Sequence, residues 1–118
     1  MSVESRIKAA LDVFGDPVEK SLFSAQSSEL PPRYYTFVCN SFGCNFGDDE
    51  PGHERWIVSV HFFAPLGQNW NNREKATKQA LFQAGFTWPK FTDATDQHGQ
   101  HFVFECEVAE AIEEIEDE

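Results

Sequence analysis

Basic residues are scarce in this sequence: nine Lys and Arg stand against twenty Asp and Glu, a net charge of −11. Counterion release from a phosphate backbone needs clustered cations, so the balance argues against tight nucleic-acid binding. It argues equally against docking to an anionic membrane surface. Long apolar runs are missing too. No stretch approaches the roughly 20 residues that span a bilayer. The opening "MSVESRIKAALDVFG" carries charges throughout, without the apolar run of a secretory leader. There are only three cysteines, Cys39, Cys44 and Cys106, an odd number expected to be free thiols in a reducing cytoplasm. The chain also lacks a Gly-x-Ser-x-Gly elbow, a phosphate-binding glycine loop and a dinucleotide fingerprint.

What is present is aromatic. The 118 residues are 41% hydrophobic and include twelve Phe and three Trp. That length and composition suit one domain with a sheet-and-helix core. Half-buried strands favour such side chains.

The spacing of Val3, Ile7, Leu11 and Phe14 predicts a helix over 3–14, with Ser2 as N-cap and Gly15 as its stop. "PVEKSLF" reads as a short edge strand, and "SAQSSELPP" as loop. "RYYTFVCN" (33–40) and "RWIVSVHFFA" (55–64) read as strands. The second alternates Trp56, Val58, Val60 and Phe62 on one face with Ile57, Ser59 and His61 on the other. "NREKATKQALFQAG" (72–85) reads as a helix capped by Asn71 or Asn72. Its expected inner stripe is Ala76, Ala80, Leu81 and Ala84; Lys75, Lys78 and Gln79 face outward, and Gly85 takes the left-handed position after its end. "FTWPKF" is a short extended piece. "HFVFECEV" (101–108) is a strand with Phe102, Phe104, Cys106 and Val108 on its apolar face.

The tail "AEAIEEIEDE" holds six acids, without which the net charge falls from −11 to −5. The expected architecture is therefore α+β: a small antiparallel sheet of about four strands with two helices on one face. Residues 1–108 form the single domain, and 109–118 an acidic tail.

Candidate chemistry is thin. Cys39 and Cys44 with His53 and Cys106 form one loose set, unlike the tight paired knuckles of structural zinc sites. A reactive thiolate needs an electropositive setting, and Cys44 lies near three acids. His61 shares its strand face with Ser59 and reads as an exposed or interface histidine. His98 and His101 flank a glycine-containing loop. "DDE", Asp48, Asp49 and Glu50, lacks the alternate spacing of a calcium loop and precedes Pro51 and Gly52, so it reads as a turn. No catalytic residue, metal ligand or cofactor is expected, and the chain does not read as an enzyme.

The order of the pieces is more specific. An aromatic strand leads into "FGDDEP"; then come "VSVHFFAPLGQNW", a Lys-bearing helix running into "ALFQAGFTWP", and a closing "HFVFECEV". Over residues 33 to 108 this resembles the tail-completion proteins of long-tailed bacteriophages, the tail terminator and tail-to-head joining group. Trp88 and the two cysteines around the acidic loop depart from that pattern.

The resemblance implies a structural subunit of the virion, made in the bacterial host cytoplasm and placed at the head-proximal end of the tail. Such subunits self-associate into a six-membered ring that caps the tail tube and ends its polymerisation. The implied partners are the tail tube protein and a head completion or connector protein. Asp48, Asp49, Glu50 and Trp70 are the candidate partner-binding residues. Trp70, in "GQNWNN", has two readings: an interface anchor, or a side chain folded back over the core. Composition also fits a second class, a small acidic phage-encoded inhibitor that mimics DNA on a host protein.

Overall fold

A computed structural model describes residues 2–20, 31–44 and 53–111. Helix α1 (Val3–Asp12) is followed by strands β1 (Val18–Lys20), β2 (Tyr34–Cys44) and β3 (His53–Ala64), helix α2 (Asn71–Gln83), and strands β4 (Lys90–Asp93) and β5 (Gln100–Ala111). The class is α+β, as the sequence pattern implies. Among the described residues the sheet has five strands, one more than expected, in the order β1-β2-β3-β5-β4. Both edge strands are short; β1 pairs parallel with β2, and every other pairing is antiparallel. Strand β5 runs three residues into the segment expected to be tail, because Ala109, Glu110 and Ala111 pair with Arg55, Glu54 and His53. Residues 112–118 lie outside the described residues, as do 21–23 of the expected edge strand.

Register explains the two-faced sheet. Tyr35, Phe62 and Phe102 stand in one row across β2, β3 and β5, and Phe37, Val60 and Phe104 in the next. All six are buried, together with Val58 and Cys106 one row further on. Val3, Ile7 and Leu11 of α1 and Leu81 of α2 close the same core, so both helices lie on this face. Burying each such side chain contributes roughly 1.5–3 kcal/mol.

The helix ends follow local chemistry. Ser2 caps α1 by accepting a hydrogen bond from the Ser5 amide at 3.1 Å. The N-cap of α2 is Trp70, not Asn71 or Asn72, which lie inside the helix; the Asn69 carboxamide oxygen accepts from the Asn71 amide at 2.9 Å. Gly85 follows α2 at φ 103°, and a Cβ there would strike the Arg6 guanidinium. Arg6 in turn donates to the Ala84 carbonyl at 2.9 Å and lies over the Phe86 ring, tying α1 to the end of α2.

The inner face of α2 differs from the expected stripe. Its fully buried positions are Thr77 and Leu81, while Ala76, Ala80 and Ala84 are half-buried. Thr77 is accommodated because its hydroxyl meets the Tyr35 hydroxyl at 2.8 Å. Lys78, expected to face outward, is half-buried: it pairs with Glu74 at 2.8 Å and lies over the Phe91 ring.

Candidate functional site

The second face of the sheet carries Tyr34, Thr36, Val38 and Asn40 from β2, Ile57, Ser59, His61 and Phe63 from β3, and His101, Val103, Glu105 and Glu107 from β5. Strand alternation alone puts them there, since their neighbours fill the core. Among the described residues no helix or strand packs over this face. Val38 and Ile57 are 37% and 39% exposed, a degree of exposure unusual for central-strand aliphatics.

At one end of the face three rings form a row. Tyr34 stacks on Phe63 with centroids 4.9 Å apart, and Phe63 stacks on His101 at 4.4 Å. With Pro31, Pro32, Pro65 and the 96–100 turn they border a cleft of about 380 Å³. That turn is built from its own polar side chains. The Asp93 carboxylate is hydrogen-bonded by the Thr95 side chain and, at 3.0 Å, by the Thr95 amide, which in that order hold its pKa below the usual range; Asp96 accepts from the His98 amide at 2.8 Å. Thr95 Oγ1 accepts from the His101 amide at 3.1 Å, which fixes where β5 begins.

A hydrogen-bonded chain leads away from this row. Ser59 Oγ lies 3.1 Å from His61 Nε2, and His61 Nδ1 lies 2.8 Å from His101 Nε2. Burial lowers the pKa of both imidazoles; the neighbouring His101 lowers that of His61 further, while Glu105 opposes the shift. For His101, Asp96 and Asp93 oppose it. The local sequence shows Ser59 and His61 sharing a face, but not their contact with His101. That contact needs β5 beside β3 in this register, a pairing between segments 40 positions apart.

A separate apolar feature lies at the opposite end of β5. Phe82 and Trp88 are 53% and 56% exposed and pack edge to face at 5.6 Å. Thr87 anchors them: its amide donates to the Glu107 carbonyl at 2.9 Å, and its hydroxyl accepts from the Glu107 amide at 3.0 Å.

Of the residues expected to bind a partner, Trp70 corrects the anchor reading. It is 9% exposed, packs edge to face on Phe62 at 5.4 Å and belongs to the core. The indole folds back because the 65–69 turn returns the chain over the sheet, and Arg73 and Arg33 lie against the ring. Asp48, Asp49 and Glu50 lie outside the described residues.

The two thiols whose side chains are described, Cys39 and Cys106, are inert in character. Cys106 is buried, and burial pushes its pKa up to about 12; burial also raises that of Cys39. Val58 separates these two cysteines in the register, so they stand two strands or about 9–10 Å apart, too far for a disulfide. Among the described residues no group of three or more His, Cys, Asp or Glu could hold a metal ion, and no helix is long and apolar enough to cross a membrane.

Compared with known protein families and with curated proteins, the chain matches none.

Proposed function

We propose that this chain is a structural subunit of a bacteriophage tail, a ring-forming protein that caps the tail tube, ends its polymerisation and presents the head-joining surface. The observation that carries this reading is the one-sided sheet. Its core face is sealed by both helices, while the face bearing Tyr34, Val38, Ile57 and Phe63 has no described element over it. Exposed apolar surface of this kind marks interaction sites.

A closed ring joins unlike surfaces of neighbouring copies. Two unlike candidates lie at opposite ends of β5. The Tyr34–Phe63–His101 row is at its start, and Phe82–Trp88 beside Glu107 is near its end. Residues 101 and 107 are separated by about 20 Å of strand, so the two surfaces cannot meet within one copy. The charge of −11 suits a ring through which DNA passes, since an acidic wall repels phosphates. The order of segments noted in the sequence supports the same role. The partners are further copies of the chain, the tail tube protein and a head connector protein.

Electron microscopy of particles assembled without the protein tests this. Overlong tails indicate a terminator, and tails of normal length detached from heads indicate a joining protein. Normal particles sink the proposal. The acidity also favours a second reading, an inhibitor that mimics DNA. A monomer that captures a basic host nuclease and leaves particle assembly untouched would favour it.

A further inference from the structure

We propose that His61 and His101 form a two-imidazole chelate for a borderline divalent transition metal, of the Ni²⁺, Zn²⁺ or Cu²⁺ class, on the second face of the sheet. His61 Nδ1 and His101 Nε2 are 2.8 Å apart. Two nitrogens bound side by side to one ion at about 2.0–2.1 Å are separated by about 2.8–3.4 Å for bond angles between about 90° and 109°. The pair therefore already stands at chelating distance. A single hydrogen now bridges the two nitrogens. The ring that carries it shifts it to its other nitrogen, and both lone pairs turn toward the ion.

The surroundings support that exchange. With Nδ1 ligating, His61 keeps its proton on Nε2 and donates it to Ser59 Oγ, 3.1 Å away. A hydrogen bond on the far nitrogen fixes the tautomer and orientation of a ligating imidazole. His101 is held by its stack on Phe63 and by its amide bond to Thr95 Oγ1. Neutral imidazole is the ligating form, so binding weakens as the rings take up protons. The charged groups facing the pair are Glu105 on β5, Asp93 on β4 and Asp96 in the turn after it, all carboxylates that attract a cation.

The ligand type sets the metal class. Imidazole suits nickel, copper and zinc, whereas calcium and magnesium take oxygen ligands. Among the described residues no third His, Cys, Asp or Glu completes the set, so solvent fills the remaining positions and the ion exchanges readily. Cys39 and Cys106 do not compete, because burial keeps both protonated at neutral pH.

Full-length, untagged, metal-stripped protein is titrated calorimetrically with Ni²⁺ at pH 7.5. One equivalent binds. His61→Gln and His101→Gln each weaken binding at least tenfold, while His98→Gln leaves it unchanged. On the wild-type protein, Cu²⁺ electron spin resonance shows coupling to two imidazole nitrogens, a readout that does not depend on any variant folding. Failure of the wild type to bind Ni²⁺ stoichiometrically overturns the site. So does binding that survives in the His61→Gln/His101→Gln double variant, or a copper spectrum without two-nitrogen coupling.

Discussion

Tyr35 and Thr77, 42 positions apart, meet hydroxyl to hydroxyl at 2.8 Å inside the core. This contact links the centre of β2 to the inner face of α2. Burial raises the Tyr35 pKa, and its hydrogen bonds to Thr77 and Arg73 oppose the shift.

Replacing Thr77 with Val keeps the volume and removes that partner. The variant is expected to lose about 1–3 kcal/mol in denaturant unfolding, the penalty for a buried polar group left short of a partner. Tyr35→Phe combined with Thr77→Val is expected to cost less than the sum of the two single changes, because both remove the same bond.

Asp16 is a second buried polar centre. Its side chain is 7% exposed and pairs with Arg73 at 2.5 Å and Arg33 at 3.3 Å; Arg73 also lies over Phe14 and Phe62. Asp16→Ala leaves the largely buried Arg73 without its carboxylate, and a loss of about 3 kcal/mol in unfolding free energy is expected. Lys20→Ala removes the solvent-exposed pair with Glu4 and should leave the unfolding midpoint unchanged. Equal losses in the two variants would contradict the burial argument.

The paired imidazoles make stability depend on pH with a defined sign. Both His61 and His101 have folded-state pKa values below the ordinary 6.5, so the unfolded chain takes up their protons first as pH falls. Their contribution is complete above pH 6.5 and is lost as pH drops through the lowered folded values. Thermal melting between pH 8 and 5 should show a fall below 6.5 that is shallower in a His61→Gln/His101→Gln variant. Parallel curves for the two proteins would remove these histidines from the explanation.

Cys106 gives a chemical test of the core. With its pKa raised to about 12, the thiol should resist alkylation by iodoacetamide at pH 8 while the protein is folded and react once it is unfolded. Peptide mapping by mass spectrometry reads this position separately from Cys39 and Cys44. Cys106→Ser buries a hydroxyl among Phe102, Phe104 and Val58 and is expected to cost about 1–3 kcal/mol.

Most of the fold was legible where residues repeat at a regular local spacing. Trp56, Val58, Val60 and Phe62 do share one face, and so do Phe102, Phe104, Cys106 and Val108; Val3, Ile7 and Leu11 are the buried stripe of α1. The fifth strand, β4, is not legible in the sequence, because its four residues are too short to show an alternation. Thr77 was missed on α2 because polarity marks it as outward until a partner across the core is known. Trp70 could be read either way, since its neighbours in sequence are polar and only the return of the chain over Phe62 buries it. The candidate site was half legible: Ser59 and His61 share a face by alternation, but His101 joins them only through register.

The sequence by itself determined the acidic charge, the helix ends at Ser2 and Gly85, and the side chains that face inward from each long strand. These depend on backbone geometry within a few residues, which any local window contains. Only the tertiary structure decided that β5 lies beside β3, that Tyr35 meets Thr77, and that His61 meets His101 on the second face of the sheet. Strand neighbours are chosen by the packing of the whole core, and no local pattern records which distant segment will supply the other half of a contact.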